Sequence, residues 1–134
     1  MKLLAILSDR YGWRLPRRRE RLPDRRRGER TEVEFVDAQG NTRRYQVGFG
    51  FDRANIIREV FCEAAKSGSD LQDMIHDGCI AMSVALQFGA RIGELAKSFS
   101  ERREETETSG PPASPFGAIA RAGAALEAEL RGAG

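Results

Sequence analysis

Cysteine occurs twice and histidine once in the 134 residues. Neither sits in a CxxC pair or in the kind of spaced cluster from which a structural zinc site draws its four ligands. The sequence therefore predicts no metal and no cofactor. No stretch approaches the ~18 consecutive apolar residues of a membrane span. The opening Met1-Lys2-Leu3-Leu4-Ala5-Ile6-Leu7 begins like a signal peptide, but its apolar run ends at Ser8-Asp9-Arg10, short of the usual hydrophobic region. These features suit a reducing cytoplasm, with Cys62 and Cys79 as small buried hydrophobes. A Gly-rich loop ending in GK[ST] is absent. The length excludes a catalytic barrel or a two-domain enzyme and predicts one domain with tails.

Charge is plentiful but divided. The formal net charge is +2, yet residues 1–30 carry ten Arg and one Lys against four acids, while the remainder carries eleven basic residues against sixteen acids. An arginine-rich arm is thus attached to a mildly acidic body. Pro16 and Pro23 interrupt any helix there, so the arm is expected to be extended or disordered. Arg17, Arg18, Arg19, Arg25, Arg26 and Arg27 are its candidate contacts, because clustered guanidinium groups favour phosphate through bidentate contacts that stay charged. The competing reading is a solvated linker that pairs with the acidic body. Ahead of the arginines, Leu3, Leu4, Ile6, Leu7, Tyr11 and Trp13 form a small apolar patch in need of a cover.

From residue 31 the pattern becomes that of a sheet. Residues 31–36 alternate, with Val33 and Phe35 on one side and Glu32 and Glu34 on the other. Asp37-Ala38-Gln39-Gly40-Asn41 is a turn, and Tyr45, Val47, Phe49 and Phe51 resume the alternation, giving a hairpin. A second turn at Asp52-Arg53-Ala54-Asn55 leads into a third strand ending near Cys62. Residues 70–88 place Leu71, Met74, Ile75, Gly78, Cys79, Met82, Ala85 and Leu86 at helical spacing. Ser69 with Gln72 reads as a capping box, and Gly89 stands where a left-handed cap is wanted. A shorter helix follows over residues 91–100. The expectation is an α+β fold: a three-stranded antiparallel meander packed by one long and one shorter helix. Its division is an arm (1–30), a globular domain (31–100), a linker (101–115) and a peripheral C-terminal helix (116–131).

The candidate anion site is the loop Lys66-Ser67-Gly68-Ser69. Small residues and a lysine bring free backbone N–H groups and one cation to a single spot. An ordinary capped strand-to-helix turn explains the same residues. His76, between Asp73 and Asp77, reads as a surface histidine beside carboxylates. Glu59 and Glu63 could serve as general acid or base but have no visible nucleophile or partner. Cys62 and Cys79 could form a redox pair only if they face each other across a strand–helix interface. No catalytic residue is expected.

Several of these residues also carry a family resemblance. The hairpin ending at Val47, Glu59-Val60-Phe61, Lys66-Ser67-Gly68-Ser69 and Ser83-Val84-Ala85-Leu86-Gln87-Phe88-Gly89 together resemble a small domain named for a Thr-Ser-Cys-Pro-Asp motif. That domain lies near the C-terminus of adenosylcobalamin-dependent class II ribonucleotide reductases and also occurs as short stand-alone bacterial proteins. Pro112-Ala113-Ser114-Pro115-Phe116-Gly117-Ala118-Ile119 resembles the tail of the stand-alone members. The Thr-Ser-Cys-Pro-Asp motif itself and a C-terminal cysteine pair are absent. The resemblance therefore implies a non-catalytic accessory or binding module, with a phosphate-bearing ligand or nucleic acid as its target. The alternative expectation is a structural subunit that docks on a larger complex through the arm and the C-terminal helix. A protein partner or a second copy of the chain is expected in either case, because a folded body of this size has a marginal core.

Overall fold

A computed structural model of the protein describes residues 18–63 and 69–133. The N-terminal apolar patch, Arg17, Lys66, Ser67 and Gly68 lie outside the described residues. Three strands, β1 (Arg27–Val36), β2 (Thr42–Phe51) and β3 (Ile57–Glu63), pair antiparallel in the order β1-β2-β3. Both turns are closed by the same device, an aspartate that accepts backbone N–H groups. Asp37 Oδ1 accepts from Gln39 at 3.0 Å and Asn41 at 2.9 Å. Asp52 Oδ1 accepts from Ala54 at 2.8 Å and Ile56 at 3.1 Å. Gly40 and Asn55, with φ of +84° and +61°, supply the left-handed residue that each turn requires.

Alternation sorts the two faces of the sheet. Val33, Phe35, Val47, Phe49, Phe51, Val60 and Cys62 are buried on one. The register shifts between Gly50 and Phe51, and this irregularity brings Ile57 opposite Phe51 and into the same core. The opposite face is charged, with Arg44 bridging Glu32 and Glu34 and Arg30 pairing with Glu63. Phe61 lies there over Gly48, where a Cβ would collide with its ring.

Helix α1 (Asp70–Gln87) starts at Ser69, whose side chain accepts from Gln72 N at 3.2 Å. Gln72 Oε1 has no partner among the described residues, so the cap is one-sided instead of the reciprocal box that the sequence suggests. At the other end Gly89 takes φ +108°, and Ala90 N returns to Ala85 O at 3.1 Å, closing the helix with a left-handed residue. Ile75, Cys79, Met82 and Leu86 face the core at spacings of three and four.

Helix α2 (Ile92–Ser98) and helix α3 (Pro115–Ala133) complete the core. The expectation of a peripheral C-terminal helix is corrected here: Ala118, Ile119 and Ala120 are buried. Small residues permit the close approach, since a Cβ on Gly123 would stand 2.5 Å from Ile92 Cδ1 and 2.8 Å from Phe49 Cε1. Glu127 fastens the helix to the sheet, accepting from Ile57 N at 2.7 Å and from Arg91 Nη2 at 2.7 Å. Residues 101–115 are likewise not a loose linker. Ala113 N bonds Ser100 O at 2.9 Å and Arg102 N bonds Pro111 O at 2.8 Å, folding the segment into a closed loop. Arg102 then donates to Val36 O at 2.6 Å and lies over the Phe35 ring at 5.4 Å, a cation–π contact that ties the loop to β1.

Candidate functional site

The described part of the arm is ordered against the body. β1 begins at Arg27, not Thr31, because the hairpin register continues backward until Arg27 stands opposite Phe51. Upstream of the strand the chain wraps around the β3 side of the sheet. Glu20 N donates to Gln87 O at 3.0 Å and Arg19 Nε donates to Gln87 Oε1. Leu22 approaches Gly50, and Arg26 Nε meets Glu59 Oε2 at 2.7 Å. The expected extended arm is therefore extended but docked.

Docking creates a groove of about 1070 Å³ between the arm, the second turn and the C-terminal end of α1. Six arginines line it: Arg21, Arg25, Arg26, Arg27, Arg53 and Arg58. Against them stand only Glu20 and Asp52. Arg58 is structural, with Nε on Asp52 Oδ2 at 3.2 Å and Nη1 on Leu86 O at 2.9 Å. The latter bond places a cation on a C-terminal carbonyl of α1, where the helix dipole favours it. Burial pushes the Asp52 carboxyl up, but the N–H groups of Ile56 and Ala54 and the Arg58 guanidinium outweigh it and hold its pKa below 3.8. Arg26 is also engaged with Pro23 O. Arg27 makes longer bonds of 3.4 Å to Asn55 and Glu29 and covers the Phe51 ring at 6.0 Å.

Arg21, Arg25 and Arg53 are exposed and have no carboxylate within ion-pair distance among the described residues. They are the groups that a bound anion would meet first. Of the arginines expected from sequence, Arg25, Arg26 and Arg27 line this groove. Arg19 is used to anchor the arm, and Arg18 is exposed outside the groove lining. Arg21, Arg53 and Arg58 are not among the arginines expected from sequence. Arg53 lies in the second turn and Arg58 in the strand after it, and continuing the hairpin register to Arg27 is the signal that places this turn beside the arm.

The other sequence candidates fall in different places. Ser69, at the end of the Lys66-Ser67-Gly68-Ser69 loop, uses its hydroxyl to cap α1. His76 is exposed on α1, and no group of three or more His, Cys, Asp or Glu converges among the described residues. Glu59 is paired with Arg26 and Glu63 with Arg30. Cys62 and Cys79 are free, buried thiols in the same core cluster, one on β3 and one on α1. Burial first, and the neighbouring Cys62, push the Cys79 thiol up to about 12.

The residues Ser83, Leu86, Gln87 and Gly89, which carry much of the family resemblance, have structural tasks. Ser83 Oγ accepts from Val60 N and donates to Val60 O, both at 2.9 Å. Gln87 Nε2 donates to Arg58 O at 3.1 Å. Together they bond Arg58 and Val60 on the outer edge of β3, while Leu86 fills the core and Gly89 ends the helix. None of the described helices is long and apolar enough to cross a membrane. No family model matches the chain, and no curated protein or solved structure is significantly similar to it.

Proposed function

We propose that this protein is a non-catalytic binding module that holds a phosphate-bearing ligand, with nucleic acid as the favoured class, in the groove between its arginine arm and the second turn. The observation that carries this reading is the charge of the groove: six arginines against two acids, three of the arginines having no carboxylate partner among the described residues. Guanidinium groups in such excess attract phosphate oxygens and release counterions when these bind. The groove offers no exposed aromatic for base stacking, since Phe51 is buried. Recognition would thus be of the backbone and tolerant of sequence. The accessory role implied by the resemblance to the reductase domain is compatible with this reading, and rests on the sequence motifs alone. A docking subunit is less favoured, because α3 uses its apolar face in the protein's own core.

Fluorescence anisotropy with a labelled single-stranded oligonucleotide, repeated over a salt series, tests the proposal. Affinity should fall steeply with salt. Replacing Arg21, Arg25 and Arg53 by alanine should weaken binding and flatten the slope of log K against log salt by about 0.7 for each phosphate no longer neutralised. Circular dichroism should stay unchanged. Equal binding by the triple variant, or no binding by the parent at low salt, would remove the groove as the site. Lys66→Ala in the same titration reports whether the loop before α1 shares the ligand.

A further inference from the structure

The two edges of the sheet are treated differently. On β3 the outer N–H of Ile57, the C=O of Arg58 and both backbone groups of Val60 are capped by Glu127, Gln87 and Ser83. On β1, ten residues long, the only hydrogen bond that reaches the backbone from outside the sheet among the described residues is the one from Arg102 to Val36 O, at the far end of the strand. An open strand of that length is a template for another strand unless its side chains forbid the pairing.

Here the side chains select a pairing. We propose that β1 pairs antiparallel with β1 of a second copy about a two-fold axis at Thr31, giving a continuous six-stranded sheet. An antiparallel register must keep the buried faces together, which allows only shifts that place odd residues opposite odd ones and even opposite even. With Thr31 opposite Thr31 of the second copy, Arg30 stands opposite Glu32 on the charged face, twice by symmetry. Glu34 then falls opposite Gly28, Val33 opposite Glu29, and Phe35 opposite Arg27, so no like charges meet. A two-residue slip one way puts Arg30 against Arg30 at the axis, and the other way puts Glu32 against Glu32 at the axis between two Arg30–Glu34 pairs, so only the Thr31 register is free of a like-charge contact there. The favoured register leaves Val36, whose carbonyl Arg102 already occupies, just beyond the paired segment.

The existing ion pairs extend naturally across the junction. Arg30 already meets Glu63 at 3.0 Å and Glu32 meets Arg44 at 3.1 Å, so the interface would link them into a row running Glu63, Arg30, Glu32 and Arg44 across both copies. In this dimer Arg27, at the groove's edge, stands opposite Phe35 of the second copy, whereas Arg21, Arg25 and Arg53 lie beyond the paired segment.

Sedimentation velocity of the full chain over a concentration series, with single and paired charge reversals, tests the interface. The parent should form a dimer that weakens with salt. Arg30→Glu and Glu32→Arg should each shift it to monomer, and the two together should recover part of the dimer, because the opposition of charges between copies returns with its sign exchanged while Glu63 and Arg44 then meet like charges in their own chain. Both side chains are exposed, so the fold should survive, as circular dichroism would report. Thr31→Cys reads the register itself: directly opposed Cα atoms are about 4.5–5.5 Å apart, within reach of a disulfide, and mild oxidation should give a covalent dimer. A parent that stays monomeric at every concentration overturns the proposal. So does a dimer that both single reversals leave intact, or one that the Thr31→Cys variant forms without cross-linking on oxidation.

Discussion

The two cysteines show how burial decides chemistry at the level of one residue. Cys62 on β3 and Cys79 on α1 share one buried cluster, and that environment makes them unreactive: burial raises both thiols, Cys79 to about 12. An attacking thiol must be a thiolate, so neither is poised for exchange or metal binding while the protein is folded. A thiol-specific reagent applied near neutral pH should therefore label almost nothing until denaturant is added, and then two groups per chain. Rapid labelling of the folded protein would contradict this. The sign of the pH effect follows from the same shift. In the unfolded chain these thiols ionise near 9.0, whereas the folded protein keeps the proton, so their contribution to stability is complete below that pH and is lost as pH rises from 9.0 toward about 12.

Glu127 plays the equivalent part between elements, since one buried carboxylate joins α3 to the start of β3 and to the residue before α2. Glu127→Ala would leave the Ile57 N–H without an acceptor and remove the Arg91 partner, and should cost about 2–3 kcal/mol in denaturant unfolding. Glu127→Gln, which can still accept from Ile57, should cost less. A change within error for the alanine variant would mean that water replaces the bond. This bond also marks the boundary of what the chain reveals by pattern. Alternation identifies the hairpin, and helical spacing with Ser69 and Gly89 identifies α1, because those signals are local in the chain. The bond from Glu127 to Ile57 joins residues 70 apart, and nothing local in an Ala-rich helix says which carboxylate will be buried. The groove is half legible for the same reason. The arm arginines are obvious as a run, but Arg53 and Arg58 join them only through the register that sets Arg27 opposite Phe51.

At the scale of the whole molecule the C-terminal helix separates two kinds of protein. A peripheral docking helix could be removed without harm to the body. Here Ile119 is fully buried, and α3 also covers Phe49 and Ile92 through the gap left by Gly123. Burying one such side chain contributes about 1.5–3 kcal/mol. Losing Ile119 and uncovering two more would approach the entire net stability of a domain, about 5–15 kcal/mol. A chain ending at Ser114 should therefore lose its cooperative thermal transition. Retention of that transition at an unchanged midpoint would show that residues 1–114 fold without α3 and would return α3 to the role of a docking element. If the transition is lost, the groove can be tested only in chains that keep α3, because its second turn is joined directly to the strand that Glu127 holds. Loss of ligand binding on truncation would then report loss of the fold, whereas the same loss in the folded Arg21, Arg25 and Arg53 variant reports the site.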